Sequence, residues 1–332
     1  MIVDAHMHVI PQAVVETAER GSHPAGITVQ QVAGERRMMH PEGYSYPLAP
    51  CFHDPAALLA SLDDRGVEAA VVSPAPPLFG YDLPPAQSRR CAALVNDGLA
   101  AIVAAAPDRL VGLATVPLAT PPDAVAELER AMTQLGLRGA EIGPVAGDRW
   151  LDEPEQQPVL EAAQELDALL FVHPSYTGAR PGLEDFYLTN LVGNPLDTGL
   201  CAARLILSGT LDRLPDLRLM LAHGGGHLPY QAGRLARGNE VRPELGRCAA
   251  VPLDYLARFI YDTLLFNPRA LGFLVDLVGP ERVLYGSDEP FDMRGDAPGA
   301  QLAGAGLDMD ALRAIEGGNA ARVFDVQRWA AV

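Results

Sequence analysis

The stretch Ile2-Val3-Asp4-Ala5-His6-Met7-His8 is a short apolar run that ends in two histidines one residue apart. In an extended strand, residues i and i+2 point to the same side of the backbone, so His6 and His8 project together. The segment is therefore predicted to be a first β-strand whose C-terminal end carries two potential metal ligands. Taken alone, the spacing fits two exposed polar residues before a loop equally well. The choice between this interpretation and a metal site depends on the rest of the chain.

Eight apolar segments of this kind recur along the 332 residues, and most are followed by a helical pattern. Near-continuous apolar runs are typical of strands buried on both faces of a parallel sheet. Strand and helix repeated eight times predict an α/β fold, a (β/α)8 TIM-type barrel, with residues 1–332 forming a single domain. The predicted strands are 2–8, 68–73, 110–116, 138–142, 169–173, 217–222, 259–263 and 283–287. The predicted helices are 56–65 (with Asp54 as N-cap), 86–106, 123–135, 158–166, a stretch near 200–207, and two near 309–315 and 319–329.

Two connections are too long to be simple turns. Residues 9–54 follow the first strand and are expected to form a lid or a short hairpin. Residues 174–208 follow the fifth strand and form a second insertion. Long loops in compact domains are usually functional or disordered, and both loops leave the C-terminal face of the barrel, where active sites of this fold lie.

The charge balance excludes several kinds of partner. The formal net charge is −17, and all 25 basic residues are Arg. A nucleic-acid binder needs a basic footprint, and an acidic chain also disfavours anionic membranes, so neither partner is expected. The absence of Lys removes Schiff-base, P-loop and carbamylated-lysine chemistry. Without a secretory signal or a membrane-length apolar stretch, a cytoplasmic location is expected.

Three further polar residues stand at the ends of predicted strands. His173 ends the fifth strand, His223 ends the sixth, and Asp288 ends the eighth. Each also has a purely structural interpretation. His173 could be a strand-end cap, His223 a residue of a tight turn, and Asp288 a helix N-cap. Together with His6 and His8, however, they converge on the barrel mouth, and imidazole and carboxylate are the usual ligands of zinc and similar ions. The joint placement therefore favours a metal site.

Other polar residues are interpreted more conservatively. His23, His40 and His53 lie in the first loop and are expected to be solvated. Arg234 and Arg242 lie eight residues apart on a helical segment after the sixth strand. The four Cys are scattered without a CxxC pattern, which argues against a thiolate zinc site.

Five stretches together resemble the amidohydrolase superfamily, in its decarboxylase branch typified by 2-amino-3-carboxymuconate 6-semialdehyde decarboxylase. They are residues 4–8, Phe171-Val172-His173-Pro174, Ala222-His223-Gly224-Gly225-Gly226, the run from Gly233-Arg234 to Arg242-Pro243, and residues 286–291. Weaker similarity runs through residues 109–113, 191–193 and 318–320, and the resemblance covers nearly the whole chain. The motif set is specific for the branch and much less specific for the substrate.

The resemblance implies a single divalent ion, zinc or alternatively manganese, held by His6, His8, His173 and Asp288 together with a water molecule. It implies that His223 is the general base that takes a proton from this water. Asp288 would then carry a proton to the carbon atom that loses carbon dioxide.

The resemblance also implies two arginines that hold the carboxylates of a small-molecule substrate, one from the first loop and one from a neighbouring subunit. Arg242 matches the second position, with Arg234 as a further substrate-binding candidate, and a homodimer is expected. Ala49 occupies the position of the first arginine, and an alanine cannot bind a carboxylate. A small unsaturated or aromatic carboxylic acid with less charge than the muconate semialdehyde is therefore expected as the substrate.

The ligand set alone admits other functions. A hydrolase that opens a lactone, amide or ester, and a hydratase, would use the same metal and water. A catalytically silent metal-binding barrel is the remaining alternative. A carboxylate-binding arginine favours the decarboxylase or the hydratase over the hydrolase.

Overall fold

The computed structural model describes residues 1–175 and 180–330. All eight predicted barrel strands are present. Six of them end within about two residues of the predicted positions, and the third and eighth are shorter than predicted. Five additional short strands lie outside the barrel. The strands are β1 (Val3–Val9), β2 (Thr28–Val32), β3 (Glu35–Met39), β4 (Ser45–Pro47), β5 (Ala69–Pro74), β6 (Leu110–Gly112), β7 (Gly139–Ile142), β8 (Val145–Ala146), β9 (Arg149–Trp150), β10 (Leu169–Val172), β11 (Arg218–Leu221), β12 (Phe259–Asp262) and β13 (Val283–Leu284).

The barrel consists of two parallel sheets that meet at two seams. One sheet has the order β1-β5-β6, and the other has the order β13-β12-β11-β10-β7. A parallel bridge between Ala114 and Ala140 joins β6 to β7, and a bridge between Met7 and Glu289 joins β1 to the segment after β13. At this second seam the backbone N–H of His8 donates to the carbonyl of Glu289 at 2.7 Å. The (β/α)8 barrel predicted from the sequence is confirmed.

The helices follow the barrel strands as predicted, and local sequence explains several of their starts. Proline occupies an early position in many of them, where its missing N–H costs nothing. The Asp54 side chain accepts a hydrogen bond from the N–H of Ala56 at 2.9 Å, which confirms the predicted N-cap. The helices are α1 (Gln12–Glu19), α2 (Pro55–Asp64), α3 (Pro85–Ala105), α4 (Pro121–Thr133), α5 (Gln157–Glu165), α6 (Asn194–Leu207), α7 (Thr210–Arg213), α8 (Leu228–Val241), α9 (Pro268–Val278), α10 (Pro298–Leu302), α11 (Met309–Arg313), α12 (Asn319–Val323) and α13 (Gln327–Ala330).

The two insertions have different structures. Residues 9–54 contain α1 and a three-stranded antiparallel sheet of β2, β3 and β4, which we call the lid sheet. Its one buried residue, Met38, belongs to a cluster with Phe52 and Leu78. The second insertion contains α6, which includes the helical stretch predicted at 200–207; its residues 176–179 lie outside the described part of the chain.

The core has two main layers. Side chains that point outward from the strands pack against the surrounding helices. Side chains that point inward fill the barrel and, at its N-terminal end, contact Phe324 and Trp329 of the segment that follows the last barrel strand. The rigid barrel holds the strand ends in fixed positions on the opposite face. In the described residues, no helix is long and apolar enough to cross a membrane.

Candidate metal centre

Four of the residues that the sequence singled out meet in one place. His6 and His8 come from β1, His173 directly follows β10, and Asp288 follows β13. Each offers one ligand atom, and these four atoms lie within 4.8 Å of one another. All four residues are buried, so the cluster lies inside the barrel mouth.

The three imidazole rings are oriented so that the Nε2 atoms converge. His6 Nδ1 lies 2.7 Å from Asp262 Oδ2, His8 Nδ1 lies 3.2 Å from the Pro74 carbonyl, and His173 Nδ1 lies 2.7 Å from the Pro174 carbonyl. Because each Nδ1 faces an oxygen acceptor, we assign the ring proton to Nδ1, which leaves Nε2 as the atom that can take a second proton or a cation. All three rings are thus in the tautomer that a metal ligand needs.

The donor atoms fit a divalent cation. His6 Nε2 lies 3.1 Å from His8 Nε2, and His8 Nε2 lies 3.0 Å from Asp288 Oδ1. Two imidazole lone pairs this close repel each other unless a proton or a cation lies between them. His173 Nε2 is buried and has no hydrogen-bond partner among the described residues. Three imidazole nitrogens and one carboxylate are a typical zinc set, and they also accept manganese.

The electrostatics of the cluster favour positive charge. Burial lowers the pKa of His8, but the carboxylates of Glu141 and Asp288 outweigh it and raise the pKa to about 10. Burial alone would raise the pKa of Asp288, yet its contacts with His223 and His8 hold it well below its usual range. A bound cation would take the place of the proton on His8, since both respond to the same carboxylates.

His223 lies beside this cluster and not within it. Its ring centroid is 5.1 Å from that of His173, and its Nε2 lies 3.9 Å from Asp288 Oδ2. Burial lowers the pKa of His223, but Asp288 and Asp262 outweigh it, so the pKa is raised above 6.5. His223 and Asp288 also have left-handed backbones, at φ +56° and +61°. Such strained residues cluster at functional sites, which agrees with the position of both residues at the barrel mouth.

The glycines after His223 allow a close backbone contact with the second insertion. Gly226 has φ +60°, and a Cβ built on it would lie 1.9 Å from the carbonyl oxygen of Pro195 at the start of α6. Only glycine fits there, so this turn fixes the second insertion against the strand that carries His223.

Two buried carboxylates of the site were missed in the sequence. Asp262, at the end of β12, accepts hydrogen bonds from His6 Nδ1 and from the backbone N–H groups of His223 and Gly224. Glu141, in β7, lies 3.5 Å from His8 Nδ1 and 3.6 Å from His173 Nδ1. The available signal was a carboxylate inside or at the end of an apolar strand, the same signal that identified Asp288.

Aromatic side chains connect the metal cluster to the lid sheet. The ring of Phe291 lies 5.4 Å from His8, 5.5 Å from Tyr46 of β4 and 5.2 Å from Phe52. These edge contacts form an apolar wall beside the cluster, which excludes water from that side.

The expectation that the first-loop histidines are solvated was wrong. His23 and His40 are each only 6% exposed, and His53 is half-buried. The ring of His40 stacks on Tyr44 at 4.5 Å and lies 5.4 Å from the ring of Tyr46. Burial lowers the pKa of His23 to about 4, and burial together with the charge of His23 does the same for His40.

The arginines lie outside the cluster. Arg234 is exposed on α8, and Arg242, also exposed, pairs with Glu244 of its own chain at 2.5 Å. Three other arginines of the two insertions are held by acidic partners: Arg36 by Glu19, Arg37 by Glu35 and Arg180 by Asp197.

A cavity of about 210 Å³ opens at the same end of the barrel, between the lid sheet and the loops that follow β5, β7 and β10. Its lining includes Ser175, two residues beyond His173, and the side chains of His40, Tyr44, Phe79 and Tyr81, with Glu42 and Asp82 as its charged members. Among the described residues, no arginine lines it.

Comparisons with known proteins agree with this geometry. The Amidohydrolase family profile matches residues 3–326. The 2-amino-3-carboxymuconate-6-semialdehyde decarboxylase of Dictyostelium discoideum is 31% identical over 303 residues, which cover 90% of this chain and 84% of that protein.

Solved structures of decarboxylases have the same fold as this chain. The 5-carboxyvanillate decarboxylase of Sphingomonas paucimobilis superposes with a TM-score of 0.82 at 27% identity, over 98% of each chain. A dihydroxybenzoic acid decarboxylase of a Polaromonas species, solved with manganese and the inhibitor 2-nitroresorcinol, shares the fold, with a TM-score of 0.77 at 22% identity over 98% of this chain and 97% of that one. The comparisons confirm the resemblance to the decarboxylase branch that the sequence predicted.

Proposed function

The chain belongs to the amidohydrolase family, and we propose that it catalyses the non-oxidative decarboxylation of a small unsaturated or aromatic monocarboxylic acid. The observation that carries the proposal is the convergence of His6, His8, His173 and Asp288 beside a separate His223. The decarboxylases among the relatives support the reaction class.

His6, His8, His173 and Asp288 would hold the divalent ion, with zinc as the proposed metal; the manganese of the Polaromonas relative makes that ion the alternative. When bound, the ion supplies a Lewis acid that polarises substrate oxygen atoms and makes a coordinated water more acidic. Asp262 orients His6 through its Nδ1–H, as the carboxylate partners of metal-binding histidines commonly do.

His223 and Asp288 are proposed to move the protons. Decarboxylation replaces a carbon–carboxylate bond by a carbon–hydrogen bond, so one proton must reach the carbon atom that loses carbon dioxide. The His223 side chain is 16% exposed, and its buried Nδ1 has no hydrogen-bond partner among the described residues. Its Nε2 lies 3.9 Å from Asp288 Oδ2. A small movement of either side chain would bring these two atoms within hydrogen-bond distance, so that a proton can pass between them.

The substrate is proposed to carry one carboxylate and an uncharged remainder. Ala49 contributes no charge, and Arg36, Arg37 and Arg180 already have acidic partners. The cavity beside the lid sheet has aromatic and hydrogen-bonding walls and two carboxylates, which repel a second anionic group.

We propose that Arg242 acts from a second copy of the chain, in a homodimer. α6 packs beside α8, and Arg242 follows the C-terminal end of α8. The π-helical turn before α6, and α6 itself, expose Leu191, Val192, Leu196 and Leu200 to solvent, an apolar surface that a second subunit would cover. A cytoplasmic location and the absence of nucleic-acid and membrane partners stay predictions from charge and hydropathy.

The reaction is tested by mass spectrometry of the products that the zinc-loaded and manganese-loaded protein forms from a panel of acids. The panel pairs each unsaturated or aromatic monoacid with the matching diacid and adds lactones. A product lighter by carbon dioxide is expected from monoacids in preference to diacids, and Ala49→Arg should shift the preference towards diacids. A product heavier by water would show that the protein is a hydrolase or a hydratase instead of a decarboxylase.

The subunit arrangement is tested by mixing two inactive variants, Arg242→Ala and His223→Asn. In a mixed dimer, the site with intact His223 receives Arg242 from the other chain, so activity should reappear on mixing. If Arg242 acts within its own chain, no intact site forms and the mixture stays inactive. A wild-type enzyme that is active as a monomer would also refute the proposal.

A further inference from the structure

Two carboxylates lie behind the metal-binding rings, and their hydrogen bonding differs. Asp262 is fully satisfied: it contacts His6 Nδ1 at 2.7 Å and accepts from the backbone N–H groups of His223 and Gly224 at 2.8 Å each. Glu141 is 0% exposed, and neither of its carboxylate oxygens has a hydrogen-bond partner among the described residues. A buried carboxylate without donors is strongly unfavourable, so its presence needs a physical reason.

Packing does not supply that reason. The neighbours of Glu141 in β7, Ala140 and Ile142, face the helices and belong to the outer core, so Glu141 points towards the inside of the barrel. An apolar residue there would fill the same space without a polar group to satisfy.

The surroundings of Glu141 point to the metal ligands. Oε2 lies 3.5 Å from His8 Nδ1, and Oε1 lies 3.6 Å from His173 Nδ1, so the two oxygens of one carboxylate face two different ligand rings. Both Nδ1 atoms also contact proline carbonyls, which are neutral acceptors. A carboxylate on the Nδ1 side of a ligating imidazole makes the ring a stronger ligand and fixes its orientation.

We propose that Glu141 is a positioning residue for the metal, one carboxylate that acts on two ligands at once. Its charge and its two oxygens hold His8 and His173 with Nε2 towards the cation. The cation in turn balances a charge to which no hydrogen-bond donor points within residues 1–175 and 180–330. Asp262 performs the same role for His6 alone. Every imidazole ligand then has a carboxylate behind it. The inference concerns the affinity for the metal and not the reaction, so it stands independently of the proposed decarboxylation.

Glu141→Gln tests it, because glutamine keeps the shape and removes the charge. The dissociation constant for Zn²⁺ is measured by competition with a chromogenic chelator, and the ligand geometry is monitored through the visible absorption of the Co²⁺-loaded protein. We expect affinity for Zn²⁺ to fall roughly 10- to 100-fold and the Co²⁺ spectrum to change. The matched control is Glu127→Gln on α4, a part-buried carboxylate bonded to Asn96 and Arg130, which should change neither readout.

A Zn²⁺ affinity within twofold of the wild type would overturn the proposal, as would a weaker affinity with an unchanged Co²⁺ spectrum. Should the glutamine variant fail to fold, Glu141→Met repeats the test with a side chain of similar length and no unsatisfied polar atom. Wild-type affinity in the methionine variant would refute the proposal equally.

Discussion

The burial of His23 in the first insertion can be tested quantitatively through the pH dependence of stability. The ring is 6% exposed, and burial lowers its pKa from 6.5 to about 4. Between these two values the unfolded chain binds a proton that the folded chain does not. The free energy of unfolding therefore falls as the pH drops from 6.5 towards 4 and is fully retained above 6.5. Between about pH 7.5 and about pH 5, the loss from His23 is about 2 kcal/mol.

The assay is urea unfolding, followed by circular dichroism, of the wild type and of His23→Gln at both pH values. Glutamine can still accept the hydrogen bond that the backbone N–H of Ala25 donates to His23 at 3.2 Å, and it does not titrate. The variant should lose about 2 kcal/mol less than the wild type between the two pH values. His227→Gln, at an exposed position, is the matched control and should keep the full loss. Equal losses in the wild type and His23→Gln would refute the burial of His23 as the cause.

Three other predictions concern the site and the turn beside it. His173→Ala should abolish metal binding and activity together, as measured by metal analysis of the purified protein, and retained stoichiometric metal would contradict its assignment as a ligand. His223→Asn should keep the metal and lose turnover by roughly 10²- to 10⁴-fold; loss of the metal would make His223 a ligand. Gly226→Ala should lower the unfolding free energy by more than about 2 kcal/mol, because its Cβ would overlap the Pro195 carbonyl. Gly299→Ala, where the new Cβ meets nothing within 4 Å, should be nearly neutral.

The barrel was predictable because its signal is local. Each strand is a short, nearly continuous apolar run, and the polar residues that end these runs reach the same mouth in any parallel barrel. His6, His8, His173, His223 and Asp288 therefore came together from sequence alone.

Features that depend on contacts between distant segments were not predictable. The burial of His23 and His40 arises only once the first insertion has folded, and single residues in a loop carry no signal for it. The role of Asp262 behind His6 depends on a pair 256 residues apart. The pairing of Arg180 with Asp197 likewise follows from the fold of the second insertion, which no periodicity in the sequence indicates.

The seam between the first and last barrel strands has a mechanical consequence. Four backbone hydrogen bonds cross it: the N–H of Ala5 donates to Tyr285, that of His8 donates to Glu289, and those of Ser287 and Asp288 both donate to the carbonyl of His6. The proposed ligands lie on both of its sides, with His6 and His8 on one and Asp288 on the other. A cation held there would tie together two segments that lie some 280 residues apart in the sequence. Loss of the ion should therefore weaken the contact between the first and the last barrel strand, which are the two most distant strands of the barrel along the chain.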